Sequence, residues 1–132
     1  MPIRSIDPDA AHAEMRSTDH VFLDVRTPEE YAAGHPEGAV NVPWALADPA
    51  SGMTPNPDFL PTVRKHFGTD RTIYVSCQMG GRSMKACDEL QAAGFEDVVN
   101  VDGGFGGRPE LPGWAQRGLP VAKEGTTYEN LK

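Results

Sequence analysis

An α/β domain built on a mainly parallel sheet is the fold class this sequence predicts, and three observations predict it. Short apolar runs of strand length recur: VFLDVR at Val21–Arg26, AVNV at Ala39–Val42, TIYVS at Thr72–Ser76 and DVVNVD at Asp97–Asp102. Their apolar residues stand at consecutive rather than alternate positions, the pattern of strands buried on both faces. Capped helical segments lie between them, so strands and helices alternate along the chain. The 132 residues suffice for one domain with a core that needs no staples. We place that domain at 1–123 and read 124–132 as a polar, loosely held tail.

The elements follow in order. Asp7 is placed to cap a first helix, and Pro8 takes its first position, where a missing N–H costs nothing. After the first apolar run, Thr27-Pro28-Glu29-Glu30 repeats the signal and starts a short helix through Tyr31–Ala33 that Gly34 stops. Pro43 closes the second run. Residues 47–57, ADPASGMTPNP, read as loop because Pro and Gly interrupt any period. Phe59–Phe67 reads as a helix ended by Gly68. Ser83–Ala93 carries Met84, Cys87 and Leu90 in threefold steps, one apolar face, and Gly94 ends it. The last run leads into the glycine-rich GGFGGRPELPGW and then AQRGLPV.

Charge and cysteine usage narrow the function. A formal net charge of -7 disfavours nucleic acid and anionic membrane as partners. Cys77 and Cys87 are too few for a disulfide framework and fit neither a redox pair nor a zinc set, and the four histidines have no metal spacing. Neither a metal nor a cofactor is expected. No run is long enough to span a bilayer, and the first residues lack an apolar signal segment, so the expected compartment is a reducing cytoplasm.

One stretch carries chemistry. In YVSCQMGGRSM, residues 74–84, Cys77 stands at the end of a strand, not within it. Sites in parallel sheets lie at such carboxyl ends. Gln78, Met79, Gly80, Gly81 and Arg82 must then turn the chain tightly into a helix that begins at Ser83. Gly80 and Gly81 allow positive φ and let main-chain N–H groups converge at a helix N-terminus. Such a nest favours the anionic, nucleophilic form of sulfur. The planar fork of Arg82 suits an oxyanion. Asp24 and Arg26 lie at a neighbouring strand end, where they either support the loop or merely cap the strand, with Arg26 pairing Glu29 or Glu30. Cys87 falls on an apolar helix face and reads as core. His35 reads as structural. Trp44 and Trp114 read as packing, although either could line a substrate mouth.

Three stretches together resemble the rhodanese family in its small single-domain form. DVRTPEEYAAGHPEGAVNVP is similar to the family's N-terminal signature, CQMGGRS to its active-site loop, and VDGGFGG with GWAQRGLPV to its ending. They cover most of residues 3–122. Two departures stand out: Pro36 follows His35 where an aliphatic residue is usual, and residues 105–113 lengthen the step to Trp114. The resemblance implies a five-stranded parallel sheet flanked by helices. It implies a Cys77 persulfide that takes sulfane sulfur from a donor such as thiosulfate and passes it to cyanide or a thiol. The loop backbone from Gln78 to Arg82 would hold the persulfide. A protein persulfide stays open as donor. Two alternatives stand beside this reading. One is a cysteine-dependent phosphatase or arsenate reductase, which the four residues between Cys77 and Arg82 disfavour because that loop type carries five. The other is a non-catalytic persulfide carrier or partner-binding module.

Overall fold

The computed structural model describes residues 2–17, 19–127 and 131. In chain order the elements are β1 (Arg4–Ile6), α1 (Pro8–Met15), β2 (His20–Asp24), α2 (Pro28–Ala33), β3 (His35–Pro36), β4 (Val40–Asn41), β5 (Ala45–Asp48), β6 (Gly52–Pro55), α3 (Phe59–His66), β7 (Thr72–Ser76), α4 (Gly81–Ala92), β8 (Asp97–Val101), a 3-10 turn at Ala115–Arg117, and β9 (Val121–Ala122). Five strands form one parallel sheet in the order β1-β8-β7-β2-β4.

The consecutive apolar residues divide between the two faces of this sheet. Val21, Leu23, Ile73 and Val75 pack with Phe59, Val63, Ala86, Cys87 and Leu90 from α3 and α4. Phe22, Tyr74, Val99 and Val101 pack on the other side with Ala11 of α1, Tyr31 of α2 and Trp114. Alternation persists, but helices cover both faces, so neither face needs polar residues. Both proline-led helices start as the sequence requires. Asp7 accepts from Ala10 N, and Thr27 and Glu30 form a reciprocal capping box.

Four features differ from the sequence reading. Residues 45–55 form an antiparallel hairpin, β5 with β6, where a loop was expected. Its turn is made by Asp48 Oδ1 accepting from Ala50 N at 2.8 Å and by Gly52 at φ +86°. β6 is exposed throughout, so no hydrophobic period marks it. The fifth sheet strand, β1, is a three-residue edge strand too short to register as a pattern. β3 and β9 form a two-residue antiparallel ladder in which Pro36 pairs with Val121. Finally, the start of the tail is held: Asn41 N donates to Thr126 O at 3.0 Å, and His35 Nε2 lies 2.7 Å from Glu124 O. Main-chain carbonyls supply this grip, which composition does not reveal. Residues 128–130 and 132 of the expected tail lie outside the described residues. No helix among the described residues is long and apolar enough to cross a membrane.

Candidate active site

Register places the site. Asp24, at the end of β2, pairs with Ser76, at the end of β7. Val25 N donates to Ser76 O at 2.9 Å. The segments Val25–Arg26 and Cys77–Gly80 therefore leave the sheet side by side. β8 ends beside them, and the turn after Asp102 joins the same edge.

Cys77 is buried, 1% exposed. Gly80 N donates to its Sγ at 3.1 Å, and Ser83 Oγ lies 3.4 Å from it. The sequence places the start of α4 at Ser83, but the helix begins at Gly81 with Gly80 as its N-cap. Only Gly80 of the two loop glycines takes a positive φ, +123°. That conformation turns its N–H onto the sulfur. Gly81 has ordinary helical backbone and open space where a Cβ would stand. Ser83 is fixed from behind: Asn100 donates from Nδ2 to Ser5 Oγ at 3.2 Å and thereby turns its own Oδ1 toward the Ser83 hydroxyl at 2.5 Å. Cys87 sits in the core, where burial above all, with the charges of Asp88 and Cys77, pushes its thiol up to about 12.

Asp24 and Arg26 are both buried and bond each other, Arg26 Nη2 to Asp24 Oδ2 at 2.8 Å. Neither Glu29 nor Glu30 takes Arg26. Such a pair is costly to break from one side, since the remaining charge is left uncompensated. Its remaining donors reach outward: Nη2 to Gly34 O at 2.7 Å and Nη1 to Gln78 Oε1 at 3.2 Å. The Phe105 ring covers the guanidinium, with its centroid 4.5 Å away. Arg26 thus fixes the side chain that follows Cys77.

The fork of Arg82, read from sequence as open to an oxyanion, is occupied. Nη1 and Nη2 bond Glu30 Oε1 and Oε2 at 2.8 and 3.1 Å. Burial pushes the Glu30 carboxyl up, but the bonds from Arg82 and from Thr27 outweigh it and hold it at about 2. A carboxylate depressed from 4.5 contributes stability that is complete above pH 4.5 and is lost as pH falls through about 2. Glu30→Gln should accordingly destabilise the protein at pH 7 by about 1 kcal/mol, a figure reduced for the exposed part of the side chain. In urea melts the gap between wild type and variant should close between pH 4.5 and about 2. A gap that stays constant across that window would show that the charge is not its source.

A second turn closes over the first. Phe105 N donates to Cys77 O at 2.8 Å, and Gly106 N and Gly107 N donate to Gln78 O at 2.9 and 3.1 Å. From the longer 105–113 segment, Arg108 Nη1 donates to Met79 O at 3.0 Å while pairing with Asp102 and Glu110. The bond from Arg108 holds the Asp102 carboxyl below the usual range. The structure therefore gathers Asp24, Arg26 and all of Gln78–Ser83 around Cys77, with Met79 58% exposed at the rim. Sequence reading missed Glu30 as the partner of Arg82, and also Phe105, Arg108 and Asn100. The T-P-E-E cap had brought Glu30 into view, but for the wrong arginine.

Comparisons with known proteins agree with this fold. The family model described as rhodanese-like domain matches residues 7–107. "Thiosulfate sulfurtransferase 16, chloroplastic" of Arabidopsis thaliana is 47% identical over 89% of this chain and 91% of its own length. "Protein HIGH ARSENIC CONTENT 1, mitochondrial" of the same plant is 42% identical over 67% of this chain, which spans only 52% of that protein. The crystal structure of Rv0390 from M. tuberculosis superposes with a TM-score of 0.80 at 28% identity, covering 94% of this chain and all of that one.

Proposed function

The chain belongs to the rhodanese-like domain family, and from that premise we propose that it is a sulfurtransferase that carries sulfane sulfur on Cys77. The observation that carries this reading is the Gly80 N–H aimed at Cys77 Sγ at 3.1 Å, inside a loop with four residues between Cys77 and Arg82. Sulfur attached to that cysteine is a small, singly charged group, and one short turn is enough to hold it.

With thiosulfate as donor, the Cys77 thiolate attacks the outer sulfur. The new Sγ–S bond forms as the S–S bond of the donor breaks, and sulfite leaves with the electron pair. Cyanide or a thiolate then attacks the outer sulfur of the persulfide and returns Cys77 as thiolate. Charge balances in both halves: thiosulfate and thiolate give sulfite and persulfide anion, then cyanide and persulfide anion give thiocyanate and thiolate. One nucleophile used twice predicts ping-pong kinetics. The Gly80 N–H and the N-terminus of α4 stabilise negative charge at the same place in both halves and need not rearrange. Acceptors are cyanide in the assay and thiols in the cell. The proposed chemistry needs Cys77 as a free thiol, and for that reason we place the protein in a reducing cytoplasm.

The phosphatase or arsenate reductase reading finds less support. It needs an arginine fork free for a tetrahedral oxyanion, and Arg82 is committed to Glu30. It also needs a proton donor for the leaving group, and the nearby Asp102 is held as carboxylate by Arg108. Intact-protein mass spectrometry after incubation with thiosulfate should show one added sulfur that cyanide removes as thiocyanate. Hydrolysis of an aryl phosphate without sulfur uptake from any donor would reverse the assignment.

A further inference from the structure

The carbonyls of the thiol loop are anchored one by one. Cys77 O accepts from Phe105 N at 2.8 Å, and Gln78 O from Gly106 N and Gly107 N at 2.9 and 3.1 Å. Gly80 O is taken by Met84 N at 3.2 Å and by Ser83 Oγ at 3.0 Å. Met79 O, between them, has one donor among the described residues: Arg108 Nη1 at 3.0 Å. Residues 105–108 thus clamp residues 77–79 in step, the first three by main chain and Arg108 by its side chain.

The peptide held by Arg108 is the one that faces the sulfur. Met79 C=O and Gly80 N–H belong to a single peptide group, and Gly80 N donates to Cys77 Sγ at 3.1 Å. The group is trans and planar, so its carbonyl and its N–H point in opposite directions. Fixing the oxygen therefore fixes the N–H. Gly80, at φ +123°, does not do this by itself, because a glycine lets the preceding peptide rotate at little steric cost. Rotated over, that peptide would present a carbonyl oxygen to the sulfur anion in place of a donor. A hydrogen bond accepted by the carbonyl also polarises the peptide and strengthens its N–H as a donor.

The guanidinium is itself built in. Nη1 divides its two protons between Met79 O and Asp102 Oδ1, the latter at 2.9 Å. Nη2 reaches Asp102 Oδ2 at 3.4 Å, and Nε reaches Glu110 Oε1 at 2.6 Å. The Arg108 main chain is closed on Leu111 by bonds in both directions, at 3.0 and 2.9 Å. Two carboxylates offset the one positive charge, so the side chain acts on the loop through its bond to Met79 O and not as a free cation.

We propose that Arg108 is a positioning residue for Cys77: from the longer 105–113 segment it holds the Met79–Gly80 peptide with its N–H on the sulfur. The inference rests on the Cys77 persulfide reading above and adds a residue to its machinery. Release of sulfur is the half-reaction that depends on it most. Cyanide attacks the outer sulfur of the persulfide, the C–S bond forms, and the bond from that sulfur to Sγ breaks. The electron pair returns to Sγ, where the Gly80 N–H meets the growing charge.

Arg108→Ala tests this in the whole chain. Asp102→Asn/Arg108→Ala is measured beside it, so that an unpaired Asp102 carboxylate is not mistaken for the cause. Amide hydrogen exchange is read first. In both variants the Gly80 amide should exchange at least about tenfold faster relative to those of Phe105, Gly106 and Gly107. No change at Gly80, or the same acceleration at all four amides, overturns the proposal, since Arg108 would then hold nothing or only the turn. Release is read second, by loading Cys77 with sulfur and following thiocyanate formation with cyanide and thiosulfate formation with sulfite. Both rate constants should fall at least about tenfold, and by factors that agree within about threefold. Unchanged rates, a loss confined to the doubly charged sulfite, or a loss that Asp102→Asn/Arg108→Ala restores overturns it. Exchange needs no sulfur chemistry. A protein that takes sulfur from no donor loses the sulfurtransferase reading, while the Gly80 amide still upholds or overturns the anchor.

Discussion

Cys77→Ser is expected to abolish the proposed sulfur transfer, by a factor of at least about 10³ in kcat/KM, while leaving the fold in place. A serine at this position has the same neighbours: the Gly80 N–H to accept from and the Ser83 hydroxyl to donate to. It occupies slightly less volume, so the expected cost in stability is below about 1.5 kcal/mol. What it lacks is a polarisable nucleophile that can form and release an S–S bond. Cys87 cannot substitute for it, since it lies within α4 on the face packed into the core, outside the loop, with a thiol pushed up to about 12. The same contrast predicts that iodoacetamide on native protein labels Cys77 well ahead of Cys87 by peptide mapping. Sulfur retained on the Cys77→Ser protein, or label found first on Cys87, would move the reactive centre elsewhere.

Gly104→Ala carries the largest expected loss of stability, about 2–4 kcal/mol, and should cost activity as well. Gly104 has φ +57°, which alanine tolerates at modest cost, but a Cβ there would overlap the carbonyl of Cys77 and the backbone of Gln78. Main chain cannot rotate aside as a side chain can, so the turn must lift. Lifting it sacrifices the bonds from Phe105, Gly106 and Gly107 to the carbonyls of Cys77 and Gln78. Gly81→Ala is the control, because its backbone is ordinary and its space is open. Its expected shift is within about 1 kcal/mol and in the stabilising direction. Urea melts of the two variants decide the matter. A change below about 1 kcal/mol for Gly104→Ala would mean that the two turns are not locked together.

The legible parts of this molecule were those whose causes are local. Caps at Asp7 and Thr27, prolines at first helical positions and the unbroken TIYVS run each state their structure within a few residues. The thiol loop is legible for the same reason, since strand, cysteine, glycine and helix follow one another directly. What stayed hidden were partnerships across the chain. Arg82 meets Glu30, and Arg26 meets Gln78, each across 52 residues, and Arg108 reaches Met79 across 29. Nothing in the spacing of CQMGGRS says that a carboxylate fills its arginine. The hairpin at 45–55 was missed because β6 is exposed and patternless, and β1 because three residues hold no period.

The turn at 103–107 hangs on β8, an inner strand of the sheet, and grips the loop through main-chain bonds. The reactive segment is therefore tied to the slowest-opening part of the molecule and does not behave as an independent surface loop. The amides of Phe105, Gly106 and Gly107 should exchange with deuterium only at the rate of global unfolding. Heat should then remove activity at the same temperature at which it melts the sheet, with no earlier loss from a loosened site.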